Sequence, residues 1–257
     1  MADSGSSDMF HTEMMPSEKK HPGTLKMIDK LPKYAIKPPF SMIIVGGAGS
    51  GKSSLLYTLL SKTYKKFFDV IYIFNRCRDS DDVWRDMEGE KRPVVEIHND
   101  YDDTEVSEVI REIEEVQEEQ REMKKRPVNV LFVFDDCLYS GVIKKGGSRS
   151  AFNELIINRR HLNASVIFTA QNYMGLEPGM RTNSVCAVCV MGLNDRELKL
   201  ISAEHNGGMA TEDELMKMYQ HIKEKDPFGF LVIDYQKPRK ERFNMNFTKT
   251  LNPREFR

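Results

Sequence analysis

Long apolar runs, cysteine and net charge are all scarce in this 257-residue chain. No apolar stretch approaches the roughly 20 residues that a membrane-spanning helix needs, so no such helix is expected. Lysine plus arginine number 38 against 39 aspartates plus glutamates, a formal net charge of -1. That balance neither demands nor excludes nucleic acid; a basic surface has to come from local clustering. The 4 cysteines, Cys77, Cys137, Cys186 and Cys189, lie within or at the end of apolar runs. Cys186-Ala187-Val188-Cys189 has C-x-x-C spacing, yet no second cysteine pair or nearby histidine pair completes a zinc set. The segment also reads as a buried strand, whose alternate side chains face opposite ways, so buried reduced thiols are expected. The opening residues, Met1 to Asp8, offer neither a basic start nor an apolar core, so no secretory signal is expected. An N-K-x-D guanine motif is missing too, which makes ATP the expected nucleotide.

What is present centres on Gly46-Gly47-Ala48-Gly49-Ser50-Gly51-Lys52-Ser53, which reads G-x-x-x-x-G-K-S. An apolar run, Phe40 to Val45, precedes it and suits a buried strand; Ser54 to Leu60 follows with apolar residues at helical spacing. Strand, glycine loop and helix form the setting a phosphate loop requires. Glycines let the backbone wrap a phosphate, and the helix N-terminus adds positive potential. Gly46–Ser54 are therefore the expected ATP-binding residues, with Lys52 on the β- and γ-phosphates and Ser53 on Mg²⁺.

Around this loop the chain divides into three parts. Residues 1–36 are polar and proline-punctuated, and are expected to form a flexible arm. From 37 to 236, apolar strands alternate with helical stretches, which predicts an α/β domain: a mainly parallel sheet with helices on both faces. Strands are expected at about 40–45, 69–74, 93–98, 128–134, 165–169, 185–190 and 228–234. Helices are expected at about 52–64, 104–125, 149–161, 194–204 and 211–224. Residues 237–257 read as a basic tail, with Lys237, Arg239, Lys240, Arg242, Lys249, Arg254 and Arg257 opposed only by Glu241 and Glu255.

A second motif argues for hydrolysis. Val130-Leu131-Phe132-Val133-Phe134-Asp135-Asp136 is an apolar strand ending in two carboxylates, a Walker B pattern. Asp135 is expected beside the metal, where it holds a bound water, and Asp136 is expected to polarise the attacking water. Gln171 ends the next strand, Phe168-Thr169-Ala170-Gln171, where an amide could orient water or sense the γ-phosphate. Positive charge for the transition state often comes from a neighbouring subunit; Arg159, Arg160 and Arg181 are candidates. Arg76 and Arg78 in Asn75-Arg76-Cys77-Arg78 could face the nucleotide or DNA. Lys144, Lys145 and Arg149 flank glycines after the Walker B strand and could form a pore loop that touches DNA phosphates.

Gly46–Ser54, Val130–Asp136, Asn158-Arg159-Arg160-His161-Leu162-Asn163 and the run Ser165 to Asn172 together carry a family likeness. In order and spacing over about 36–235 the chain resembles the poxvirus-type genome-packaging ATPases of large nucleocytoplasmic DNA viruses, in the FtsK–HerA superfamily. The resemblance implies a RecA-like core in a homo-oligomeric ring around double-stranded DNA. It also implies ATP hydrolysis that drives DNA into a preformed virion, a capsid or portal partner, and a place in infected-cell cytoplasm or the virion. Many relatives carry Asp-Glu where this chain has Asp135-Asp136. The competing expectation is an ATP-dependent switch or assembly factor that hydrolyses slowly and moves no DNA.

Overall fold

Ser41–Val45 (β1) is buried at every position, which requires neighbours on both sides and cover on both faces. A computed structural model supplies them, and describes residues 20–76, 93–137, 150–182 and 186–257. After a short helix, Pro22–Ile28 (α1), come β1 and the helix Lys52–Thr58 (α2), which continues as a π-helical turn, Leu59–Thr63. Then follow Val70–Asn75 (β2), Val94–Asn99 (β3), Asp103–Glu122 (α3) and Val130–Asp135 (β4). Ala151–Asn158 (α4), Ala164–Ala170 (β5), Pro178–Thr182 (α5) and Ala187–Val190 (β6) come next. Asp195–His205 (α6), Glu212–Lys225 (α7), Leu231–Asp234 (β7), Phe243–Met245 (β8) and Lys249–Thr250 (β9) complete the order.

The strands form one sheet in the order β3-β2-β4-β5-β1-β6-β7-β8-β9. From β3 to β6 every pairing is parallel; β7, β8 and β9 join antiparallel. The expected mainly parallel α/β sheet is what forms. Two cores follow from the alternation of side chains. Ile43, Val45, Phe132 and Phe134 face the larger core, with residues of α3, α4, α6 and α7. Met42, Ile44, Leu131 and Val133 face the other, with α1 and α2. Phe152 of α4 meets Phe134 and Phe168 edge-on, at centroid distances of 5.3 and 5.5 Å. Each fully buried phenylalanine contributes about 1.5–3 kcal/mol.

Both ends of the described chain differ from the sequence expectation. Within the stretch read as an arm, α1 forms, Ile28 and Ile36 are buried, and Tyr64 Oη donates to Ile36 O at 2.9 Å. Within the stretch read as a basic tail, β8 and β9 extend the sheet, and Phe243, Phe247 and Leu251 are buried. A few apolar residues spaced among many charges suffice for a strand at the edge of an existing sheet. Asp103–Glu122 replaces the predicted 104–125 because Lys124 turns left-handed at φ 53.

Candidate nucleotide site

Parallel sheets bind ligands at the carboxyl ends of their strands, where neighbouring strands connect in opposite directions. Here β1 lies between β5 and β6, and its carboxyl end enters the glycine loop directly. β5 separates β1 from the Walker B strand β4, so Asp135 is two strands away from the loop and Thr169 lies between.

Backbone geometry explains the glycines. Gly49 and Gly51 have φ of 70° and 94°, left-handed values that favour glycine. At Gly46 the reason is close approach: an added Cβ would come within 2.7 Å of Met191 O and 2.6 Å of Ser50 Oγ. Gly51 is also the residue from which α2 starts, so Lys52 and Ser53 begin the helix and its free N–H groups face the loop. Lys52 is buried, and its Nζ donates to Gly46 O at 2.8 Å and Gly47 O at 3.3 Å. Ser50 Oγ is buried with no partner among the described residues. A helix start with free N–H groups, a held ammonium and an unpartnered hydroxyl suit a polyphosphate.

The two carboxylates are set by Thr169. Its hydroxyl donates to Asp135 Oδ1 at 2.7 Å and accepts from the Asp136 N–H at 2.9 Å. Asp136 takes a left-handed φ of 50°, which turns its carboxylate out of the strand line. That carboxylate accepts from Gln171 Nε2 at 3.0 Å and lies 4.0 Å from Lys52 Nζ. Lys52, Asp135, Asp136, Thr169 and Gln171 thus form one cluster at the loop's mouth. Thr169 was not singled out from sequence. The signal was there: in a strand Thr169 and Gln171 lie on one face, two residues apart.

The arginines are elsewhere. Arg159 O accepts from Ala164 N at 2.8 Å, which puts the pair Arg159-Arg160 at the amino-terminal end of β5, across the sheet from the loop. Arg159 is buried, and its Nη1 donates to Ile156 O at 2.6 Å, away from this chain's own phosphate loop. Arg160 is exposed on that same edge. Arg181 is buried and paired with Glu204 at 3.2 Å. Arg76 lies 3.9 Å from Asp100. Arg78, Lys144, Lys145 and Arg149 fall outside the described residues. Cys189 is buried in β6, and burial pushes its thiol well above the usual range. No group of three or more His, Cys, Asp or Glu side chains among the described residues could hold a metal, so no zinc set forms around Cys186 and Cys189 there.

A small octahedral cation fits this arrangement better than a caged one, because magnesium usually takes one or two protein oxygens plus substrate phosphates. The oxygens available are the Ser53 hydroxyl at the helix start and the buried Asp135 carboxylate. No helix among the described residues is long and apolar enough to cross a membrane.

The sheet order and the glycine loop define a P-loop α/β fold. Residues 32–233, more than half the chain, match the model of the poxvirus A32 protein family, and the chain belongs to that family. No curated protein matches. Among solved structures, B204, the DNA-packaging ATPase from Sulfolobus turreted icosahedral virus, aligns at 17% identity and a TM-score of 0.55. That alignment covers 82% of this chain and 98% of B204. The genome packaging NTPase B204 from Sulfolobus turreted icosahedral virus 2 in complex with AMPPCP aligns at 15% identity and a TM-score of 0.57, covering 84% and 100%. Its complex with ATP-gammaS aligns at 15% and 0.56, with the same coverage. At these identities the shared property is the fold.

Proposed function

We propose that this protein hydrolyses ATP and uses the energy to move viral double-stranded DNA into a virion. The observation that carries the reading is the cluster at the loop's mouth, where Lys52, Asp136 and Gln171 converge within 4.0 Å. Gly46–Ser54 wrap the triphosphate, and Lys52 leaves the loop carbonyls to bond its outer phosphates. Asp136 accepts the proton of the attacking water, and Gln171, already bonded to that carboxylate, orients the water. Thr169 holds the Asp135 carboxylate and the Asp136 main chain in place. Magnesium, held by Ser53 and Asp135, would supply charge neutralisation on the phosphates. The name of the B204 fold relative, a DNA-packaging ATPase, supports DNA as the cargo.

The opposite edge supports a ring. Arg160, Lys37, Arg239 and Lys240 are exposed there, and Gln236 ties the 236–240 segment to Lys37 through bonds of 2.7 and 2.8 Å. Burial, and then the charges of Lys37 and Arg160, hold the Lys20 ammonium below the usual lysine range, so these cations are close together. An arginine on this edge reaches a phosphate loop only on another copy. Head-to-tail contacts of that kind make a ring when the rotation between copies closes. A capsid or portal protein is the expected docking partner, and infected-cell cytoplasm or the virion the expected location.

Steady-state ATP turnover, with and without linear duplex DNA, tests this reading on wild type and Lys52→Ala. DNA-stimulated turnover that vanishes in the variant is expected. Turnover indifferent to DNA would favour a slow-hydrolysing assembly switch instead.

A further inference from the structure

The cluster at the loop's mouth depends on Gln171, an exposed side chain at the end of a strand. What holds the backbone there is a fully buried residue two positions on. Tyr173 has no exposed surface. Its N–H donates to Glu197 Oε1 at 2.8 Å, and its hydroxyl donates to Glu204 Oε2 at 2.6 Å. The same hydroxyl lies 2.6 Å from His205 Nε2. All three partners belong to α6, so Tyr173 is bonded to both ends of one helix. Arg181 completes the setting: its guanidinium is 3.2 Å from Glu204 and 5.3 Å from the Tyr173 ring centroid.

That helix is itself fastened to the phosphate loop. Gly47 N donates to Gly192 O at 3.0 Å, and a Cβ on Gly192 would meet Ser50 Cβ at 3.2 Å. Two residues beyond Gly192, Asn194 caps α6, with its side chain accepting from Glu197 N at 3.0 Å and bonding the Glu197 carboxylate at 3.2 Å. The polar contacts therefore close a circuit. It runs from the loop through Gly192 to α6, from Glu197 to Tyr173, along two residues to Gln171, then to Asp136 and back to Lys52. Buried, fully bonded polar groups of this kind fix position tightly, because breaking one leaves its partner unpaired.

We infer that Tyr173 is a positioning residue for hydrolysis: bonded at both ends to α6, it sets the place of Gln171 relative to Asp136 and the phosphate loop. The inference rests on the proposed role of Gln171 in orienting water. Tyr173 touches no reacting atom and acts through Gln171 alone, so its loss lowers kcat and leaves KM for ATP unchanged.

A double-mutant cycle tests this with ATP turnover as the readout, on Tyr173→Phe, Gln171→Ala and the pair. Thermal melts and the affinity for a fluorescent ATP analogue confirm folding in each. Tyr173→Phe is expected to lower kcat about tenfold, and the double variant to match Gln171→Ala within about twofold. Glu197→Gln, which retains an acceptor for the Tyr173 N–H, is expected to keep most of the turnover that Glu197→Ala loses. Losses that multiply across the cycle, or normal turnover in Tyr173→Phe beside an impaired Gln171→Ala, would overturn the inference alone. Normal turnover in Gln171→Ala would overturn both it and the proposed role of Gln171.

Discussion

The two edges of the central sheet use charge in opposite ways. At the carboxyl edge, Lys52, Asp135, Asp136, Thr169 and Gln171 are tied to one another, on a backbone left-handed at Gly49, Gly51 and Asp136. At the amino edge, Arg160, Lys37, Arg239 and Lys240 stand exposed, while the adjacent Arg159 is buried and bonded to main chain. The first edge resembles a preorganised reaction site. The second resembles a surface awaiting an anion. Adjacent arginines in sequence can therefore have different fates, and burial separates them.

The largest expected effect is at the carboxyl edge. Lys52→Ala should lower ATP turnover about 10²–10³-fold, the scale for losing one donor to developing charge. Steady-state phosphate release checks it. Asp136→Asn keeps the shape and most hydrogen bonds but removes the proposed base, and should cost about 10²-fold in kcat while ATP binding persists. Isothermal titration alongside single-turnover chemistry separates the two quantities.

At the amino edge, the two adjacent arginines should also differ in what they contribute to stability. Arg159→Ala loses a charged group's bond to Ile156 O, and is expected to cost about 1.5–3 kcal/mol in denaturant unfolding. Arg160→Ala, exposed, should stay within about 0.5 kcal/mol of wild type. Equal losses in both would erase the distinction drawn between them.

A smaller effect should appear with pH. Burial, and then the charge of Arg181, lower His205 from 6.5 to about 4. Between those values the unfolded chain binds a proton that the folded chain does not. The stability this histidine contributes is thus complete above about pH 6.5 and is lost as pH falls towards 4. The loss should reach about 1 kcal/mol near pH 5.5, and His205→Gln should flatten that slope in thermal melts.

Much of the carboxyl edge was legible in the sequence because its demands are local. A loop that wraps phosphate needs Gly49 and Gly51 at positive φ and Gly46 against Met191, and these needs write a motif. The strand Val130–Asp135 was readable because it is apolar, with both its faces buried. Thr169 escaped because a threonine near a strand end is ordinary, and its two bonds to the aspartates depend on strand order. Burial of Arg159 was equally unreadable, since its guanidinium lies against Cys186, a residue distant in sequence. The β8–β9 connection hid for a different reason. It turns through Asn246 and Phe247 at φ 52° and 64°, and phenylalanine is a rare choice there.

In the proposed ring, one copy's phosphate loop works with another copy's amino edge, and subunit mixing tests that pairing. Lys52→Ala lacks a working loop but keeps Arg160; Arg160→Ala has the converse defect. Each alone should turn over little ATP in the presence of duplex DNA, and a mixture should recover activity because some interfaces then join an intact loop to an intact arginine. Full turnover by Arg160→Ala alone, or no recovery at any mixing ratio, would contradict the account.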